Sequence, residues 1–180
     1  MMNTRRYILG RCAMGLPLAL VSPATAVTAD EPRRMPIPDA LKRAIQLRRD
    51  AVNEFVKGNV ALWKEQCSHR DDVTIIGGWG GFEKGWAAQV EKRYEWAAAR
   101  FKGSEGPIEF ENISLVVTPE LAYSVDIERG RVRVGESQEL APMVLRVTTI
   151  FRLEGAEWKM VHRHADPLMN VQAAGSVIQK

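Results

Sequence analysis

Apolar residues recur at helical spacing between Pro38 and Gly58. Leu41, Ala44, Ile45, Val52, Phe55 and Val56 form one stripe, with Lys, Arg and Glu elsewhere. Side chains three and four positions apart share a helix face, so the pattern predicts a helix opened by Pro38-Asp39 and running to about Lys57. Gly58 ends it. Asn59 suits the N-cap of a second, short helix, from Val60 to about Gln66, because its side-chain oxygen accepts from the free N–H groups of a first turn. At residues 73–76 the pattern changes to a short β-branched run, which reads as a strand. Gly77-Gly78-Trp79-Gly80-Gly81 then permits a sharp connection towards a third helix, from about Trp86 to Phe101. Its apolar side carries Trp86, Val90, Tyr94, Ala97 and Phe101.

Beyond the break at residues 103–107 the period becomes that of strands. Four candidates follow, at about 108–117, 122–134, 143–153 and 158–164, and each connection between them suits a hairpin. Helices first and strands later predict an α+β domain. Its expected form is a curved antiparallel sheet with the three N-terminal helices packed on one face, a cup that traps a cavity between them. The domain should occupy residues 39–168, with a loose tail at 169–180.

Residues 1–29 read differently. Arg5, Arg6 and Arg11 precede a short apolar stretch broken by Gly15 and Pro17, and Ala24-Thr25-Ala26 and Val27-Thr28-Ala29 are small-residue cleavage sites. This is the pattern of a secretory signal, and Thr4-Arg5-Arg6-Tyr7-Ile8-Leu9-Gly10 resembles the twin-arginine type. The apolar stretch is shorter than the roughly 20 residues a membrane span needs. Cleavage near Ala26 or Ala29 would place the mature chain in the periplasm or outside the cell, without a membrane span, behind a proline-rich lead-in at 30–38.

The leader also changes the charge argument. It holds three of the 25 Lys and Arg and none of the 22 acids, so the formal net charge of +3 belongs to it alone. The remainder is balanced, has no basic run with interleaved aromatics, and carries no mark of nucleic-acid binding. Of the two cysteines, Cys12 lies in the leader. Cys67 is left alone and is expected to be buried and inert.

The last strand holds the most suggestive chemistry. In a regular strand Trp158, Met160, His162 and His164 share one face, while Lys159, Val161 and Arg163 share the other. Two of the three histidines would then stand beside an indole and a thioether, on the kind of apolar wall with a polar end that a small-molecule pocket uses.

Three features in order resemble a known family. They are the Gly58-Asn59 step between the first helices, Arg70-Asp71-Asp72-Val73-Thr74-Ile75 entering the first strand, and Trp158-Lys159-Met160-Val161-His162-Arg163-His164 as the last strand. Together they resemble the SnoaL-like group of the nuclear transport factor 2-like superfamily. The closing strand is also similar to that of the association domain of calcium/calmodulin-dependent kinase, which shares the fold. The resemblance spans roughly residues 39 to 168. It implies a cone-shaped, ketosteroid isomerase-like α+β barrel, often a homodimer through the sheet, with one pocket inside the cone. It does not imply one activity, because the superfamily holds isomerases, cyclases, dehydratases and non-catalytic members. Isomerase chemistry in its usual form needs a Tyr on the first helix, and none lies between Pro38 and Gly58. It needs an Asp at the end of the first strand, where this chain has Gly77-Gly78.

The candidate site residues follow from the expected faces. His164 or His162 would act as general base, since an imidazole titrates near neutral pH, with Asp166 orienting it. The alternative is a hydrogen-bonded strand end and a solvent-exposed ring. His162-x-His164 with Asp166 or His69 also has the residue types of a zinc site, but a bare His-x-His is no metal site by itself. Asp71 and Asp72 read as turn residues, with Arg70 as their ion-pair partner. Trp79, Tyr94, Arg146 and Trp158 are the candidate pocket residues: two indoles for apolar contact, a hydroxyl on the third helix, and a guanidinium suited to a carboxylate or enolate. No cofactor is implied. Three functions are consistent with these residues: a binding protein for an apolar or weakly acidic small molecule, a proton-transfer enzyme using the His/Asp pair, or an oligomeric scaffold.

Overall fold

The structure, a computed structural model, describes residues 36–178. The expected signal segment and most of the lead-in lie outside those residues. The first helix, α1, spans Asp39–Phe55 and turns Leu41, Ala44, Ala51 and Val52 inward. Arg48 stands in the same stripe and is also buried, against the expectation that charged residues lie elsewhere on this helix. At the end of α1 the chain turns at Gly58, whose φ of +91° favours glycine. The second helix, α2, spans Ala61–Gln66, and the Asn59 side chain accepts a hydrogen bond from the Ala61 N–H at 3.0 Å.

The glycine-rich segment makes a turn between two short strands, β1 (Thr74–Ile76) and β2 (Phe82–Lys84), rather than leading straight into a helix. The third helix differs from its expected form at both ends. It opens as a π-helical turn, Trp86–Val90, and continues as α3, Glu91–Ala98. It stops before Phe101 because Phe101–Ser104 forms strand β3 on the sheet edge. Four long strands follow: β4 (Glu109–Val117), β5 (Leu121–Val134), β6 (Ala141–Glu154) and β7 (Glu157–Pro167).

The seven strands form one strongly curled sheet, a half-barrel around the helices, in the order β2-β1-β7-β6-β5-β3, with β4 also on β5. β5 is 14 residues long. Its length lets β4 pair with its first part and β3 with its end on one edge, while β6 takes the other. The sheet is antiparallel except where β1 joins β7 in parallel, Thr74 against His162. The core between sheet and helices is built on Trp63, Phe151, Leu41 and Met160. No helix among the described residues is long and apolar enough to cross a membrane.

One irregularity decides which side chains of β7 enter the half-barrel. Ile150 on β6 faces His162, but its neighbour Phe151 faces Met160. Two steps on β7 are thus matched to one on β6, which leaves Val161 as the extra residue of a β-bulge. A bulge reverses the inside-outside parity of every residue beyond it. Trp158 and Met160 point inward before the bulge; Arg163 and Ala165 point inward after it.

Candidate functional site

The curled sheet and the helices enclose a cavity of about 500 Å³, within the range typical of small-molecule sites. Its walls are largely apolar. Phe55 of α1, Trp63 of α2 and Tyr94 of α3 close one side, and Met143, Leu145 and Ala165 of the sheet close the other. Trp79 stands at the mouth, 45% exposed, with its edge on Trp96 at 5.8 Å between ring centres.

The floor is ionic. β5 alternates, so Ser124, Asp126 and Glu128 all point into the half-barrel. Arg48 reaches down from α1 and bridges two of them, with Nη2 donating to Asp126 at 2.6 Å and Nη1 to Glu128 at 2.8 Å. Arg163 comes from β7 and donates to both Glu128 oxygens, at 3.1 and 2.9 Å. Glu128 is only 1% exposed, a burial a carboxylate tolerates when paired and hydrogen-bonded on both oxygens. Burial pushes the Asp126 carboxyl up. The Arg48 charge, with hydrogen bonds from Asn112, Arg48 and Ser124, outweighs it and holds the group below the usual carboxylate range. Glu128 and Arg163 reach the cavity wall, while Arg48 and Asp126 stand behind them. A third charged side chain on the wall is Arg93, which donates to the Gly80 carbonyl at 2.6 Å and lies 3.6 Å from Glu83.

The expected site residues divide. Tyr94 and Trp79 are on the cavity wall. Tyr94 is buried against Trp63 and Phe55, and burial, then the Cys67 thiol beside it, push its hydroxyl pKa well above the ordinary value. Trp158 faces inward but packs in the core instead of on the cavity wall. His162, His164 and Asp166 are on the opposite, outer face of the sheet, because the bulge at Val161 reverses the parity on which their expected placement rested. Arg146 is on the same outer face by the alternation of β6 itself, which turns Val147, Thr149 and Phe151 inward. Asp166 pairs with Arg146 across the strands and does not orient a histidine. His162 shares a 2.8 Å hydrogen bond with Thr74; burial, then the neighbouring His164, hold its pKa below the usual histidine range.

His69 is elsewhere, stacked on Trp86 at 4.3 Å and donating to the Lys64 carbonyl. Among the described residues no three His, Cys, Asp or Glu are grouped to hold a metal ion. Arg70 lies 3.5 Å from Glu154, and Asp72 is taken by Arg152 at 2.6 Å. Cys67 is buried, which pushes its thiol pKa up and keeps it unreactive.

The four residues of the ionic floor were not among those expected. A signal for them exists. Arg48 interrupts the apolar stripe of α1 at its centre, and Ser124, Asp126 and Glu128 share the β5 face that carries Ala122 and Val132. A charged residue in a helix stripe and two on one inward strand face, in separate elements, are complementary in sign.

No protein-family model and no curated protein matches the sequence. Solved structures do match. A nuclear transport factor 2-like superfamily protein from Salmonella enterica aligns with 75% of this chain and 94% of its own length, at TM-score 0.58 and 13% identity. A ketosteroid isomerase-like protein from Erwinia carotovora atroseptica aligns at TM-score 0.59 and 12% identity, over 73% of this chain and 96% of that one. The fold is that of the nuclear transport factor 2-like superfamily. A provisional calcium/calmodulin-dependent protein kinase type II association domain from Thiobacillus denitrificans gives TM-score 0.59 at 17% identity, covering 76% and 98%. At these identities the likeness is one of fold. Within this nuclear transport factor 2-like half-barrel, the chemistry has to be read from the cavity itself.

Proposed function

We propose that this is an exported small-molecule-binding protein whose half-barrel cavity holds a ligand with a largely apolar body. The observation that carries the reading is the cavity: an apolar volume of about 500 Å³ that is closed at its floor by ion-paired side chains and open beside an exposed indole. Apolar walls supply affinity through removal of ligand surface from water, and a few placed polar groups fix orientation. Proton transfer by the His/Asp pair is the weaker reading, because those side chains are on the far side of the sheet from the cavity. The leader read from residues 1–29 supports export to the periplasm or beyond.

The test is native mass spectrometry of the protein purified gently from its own host. The reading expects a stoichiometric small molecule and a chain beginning near residue 27 or 30. A protein that starts at Met1 or Met2 in its native cell removes the export claim. A protein that neither carries a small molecule nor binds the neutral apolar probe N-phenyl-1-naphthylamine removes the binding claim.

A second reading is favoured by a separate observation. The outer face of β5 exposes Leu121 and Tyr123, and Tyr123 continues across the strands through Ile150 to His162. Exposed apolar side chains grouped on one face of a sheet are a candidate contact surface. This grouping supports a homodimer formed through the sheet. Light scattering should then give twice the chain mass, and Tyr123→Glu should halve it; a monomer at micromolar concentration ends this reading.

A further inference from the structure

We infer that the cavity selects an amphipathic monoanion, with a carboxylate or similar head group set on the Arg163 guanidinium and its apolar body directed towards Trp79. This inference rests on the reading of the cavity as a ligand site and names the class of ligand.

Three observations carry it. First, the anion on the wall is largely engaged. Glu128 accepts three hydrogen bonds, from Arg48 on one oxygen and from Arg163 on both, so of about four lone-pair sites one is left for a cationic or donor head group. Second, the cation of the floor is not saturated. A guanidinium has five N–H groups, and among the described residues Arg163 makes no side-chain hydrogen bond other than the two to Glu128. Its side chain is also the most accessible of the four, at 9% against 1–5% for the others. Third, the charged side chains on the wall are Arg163, Arg93 and Glu128, two cations and one anion. In an enclosure of low dielectric, a planar guanidinium with free donors favours an anion over a neutral acceptor, because charge-assisted hydrogen bonds are the stronger kind.

The experiment compares three ligands of equal chain length, decanoate, 1-decanol and decylamine, as displacers of N-phenyl-1-naphthylamine from the full chain near neutral pH. Decanoate should displace the probe at about tenfold lower concentration than 1-decanol, the size expected of a hydrogen bond to a charged group, and decylamine should be weakest. In the double variant Arg163→Gln/Glu128→Gln, which removes a charge of each sign, the preference for decanoate should vanish while the probe still binds. Equal displacement by decanoate and 1-decanol, or better displacement by decylamine, in the unaltered protein overturns the inference and leaves the cavity reading standing. That comparison needs no variant. Failure of the probe and all three ligands to bind removes the cavity reading itself, and this inference with it.

Discussion

Arg163 on β7 grips both carboxylate oxygens of Glu128 on β5, reaching diagonally across β6 inside the half-barrel. The pair ties together strands that do not touch each other. Through Arg48 the same carboxylate ties the sheet to α1. The floor of the cavity is therefore also the joint between the two layers of the fold.

Removing one partner should cost more than removing two. Glu128→Ala leaves two buried guanidinium groups short of a carboxylate, and should lower unfolding free energy by about 3–5 kcal/mol, the usual size for breaking a buried pair. Arg163→Met/Glu128→Leu removes opposite charges together and should cost less than the sum of its single variants. Urea denaturation of the four proteins closes the cycle, and strict additivity would contradict a coupled pair.

Acid should loosen this joint. The folded protein holds Asp126 below its ordinary pKa, so the unfolded chain takes up a proton there more readily. The stability contributed by Asp126 is present above its unfolded value, about pH 4, and is lost as pH falls through the lower folded value. Urea midpoints measured from pH 7 down to pH 2.5, or about that range, should decline at the acid end, and Asp126→Asn should flatten the decline.

His164→Ala should leave the cavity untouched. The side chain is on the outer face, so probe affinity should not change and stability should move by no more than about 0.5 kcal/mol. His162→Ala loses its bond with Thr74 and should cost about 1 kcal/mol, again without effect on the cavity. Loss of probe binding in either variant would mean that the histidines act on the pocket after all.

Gly130 lies two residues beyond Glu128 on the same inward face. A β-carbon there would lie 2.4 Å from the Cδ1 of Ile108. Gly130→Ala should therefore destabilise by about 1–3 kcal/mol through overpacking. Ile108→Val removes the offending methyl, and thermal melting of the double variant should show partial recovery.

The elements themselves were legible in the sequence to within a few residues, because burial imposes its period wherever an element is long. The stripe on α1 and the runs that became β4 to β7 needed no partner to be read. The ends that shifted did so for tertiary reasons. Phe101 leaves the third helix because β5 is long enough to recruit it into β3. β2 is three residues long, too short to carry a pattern.

The chain alone determined the α+β order, the superfamily resemblance in its three motifs, and which residues have an apolar face to bury. The same information puts Tyr94 and Trp79 forward only as pocket candidates. The candidate site depended on more. Strand parity holds only while the ladder is unbroken, and one unpaired residue, Val161, turned Arg163 inward and both histidines outward. Such a bulge is decided by the register of β6 against β7, which no local pattern records. The ionic floor likewise exists only when α1, β5 and β7 meet, because a buried charge is tolerable only where its counter-charge arrives from another element.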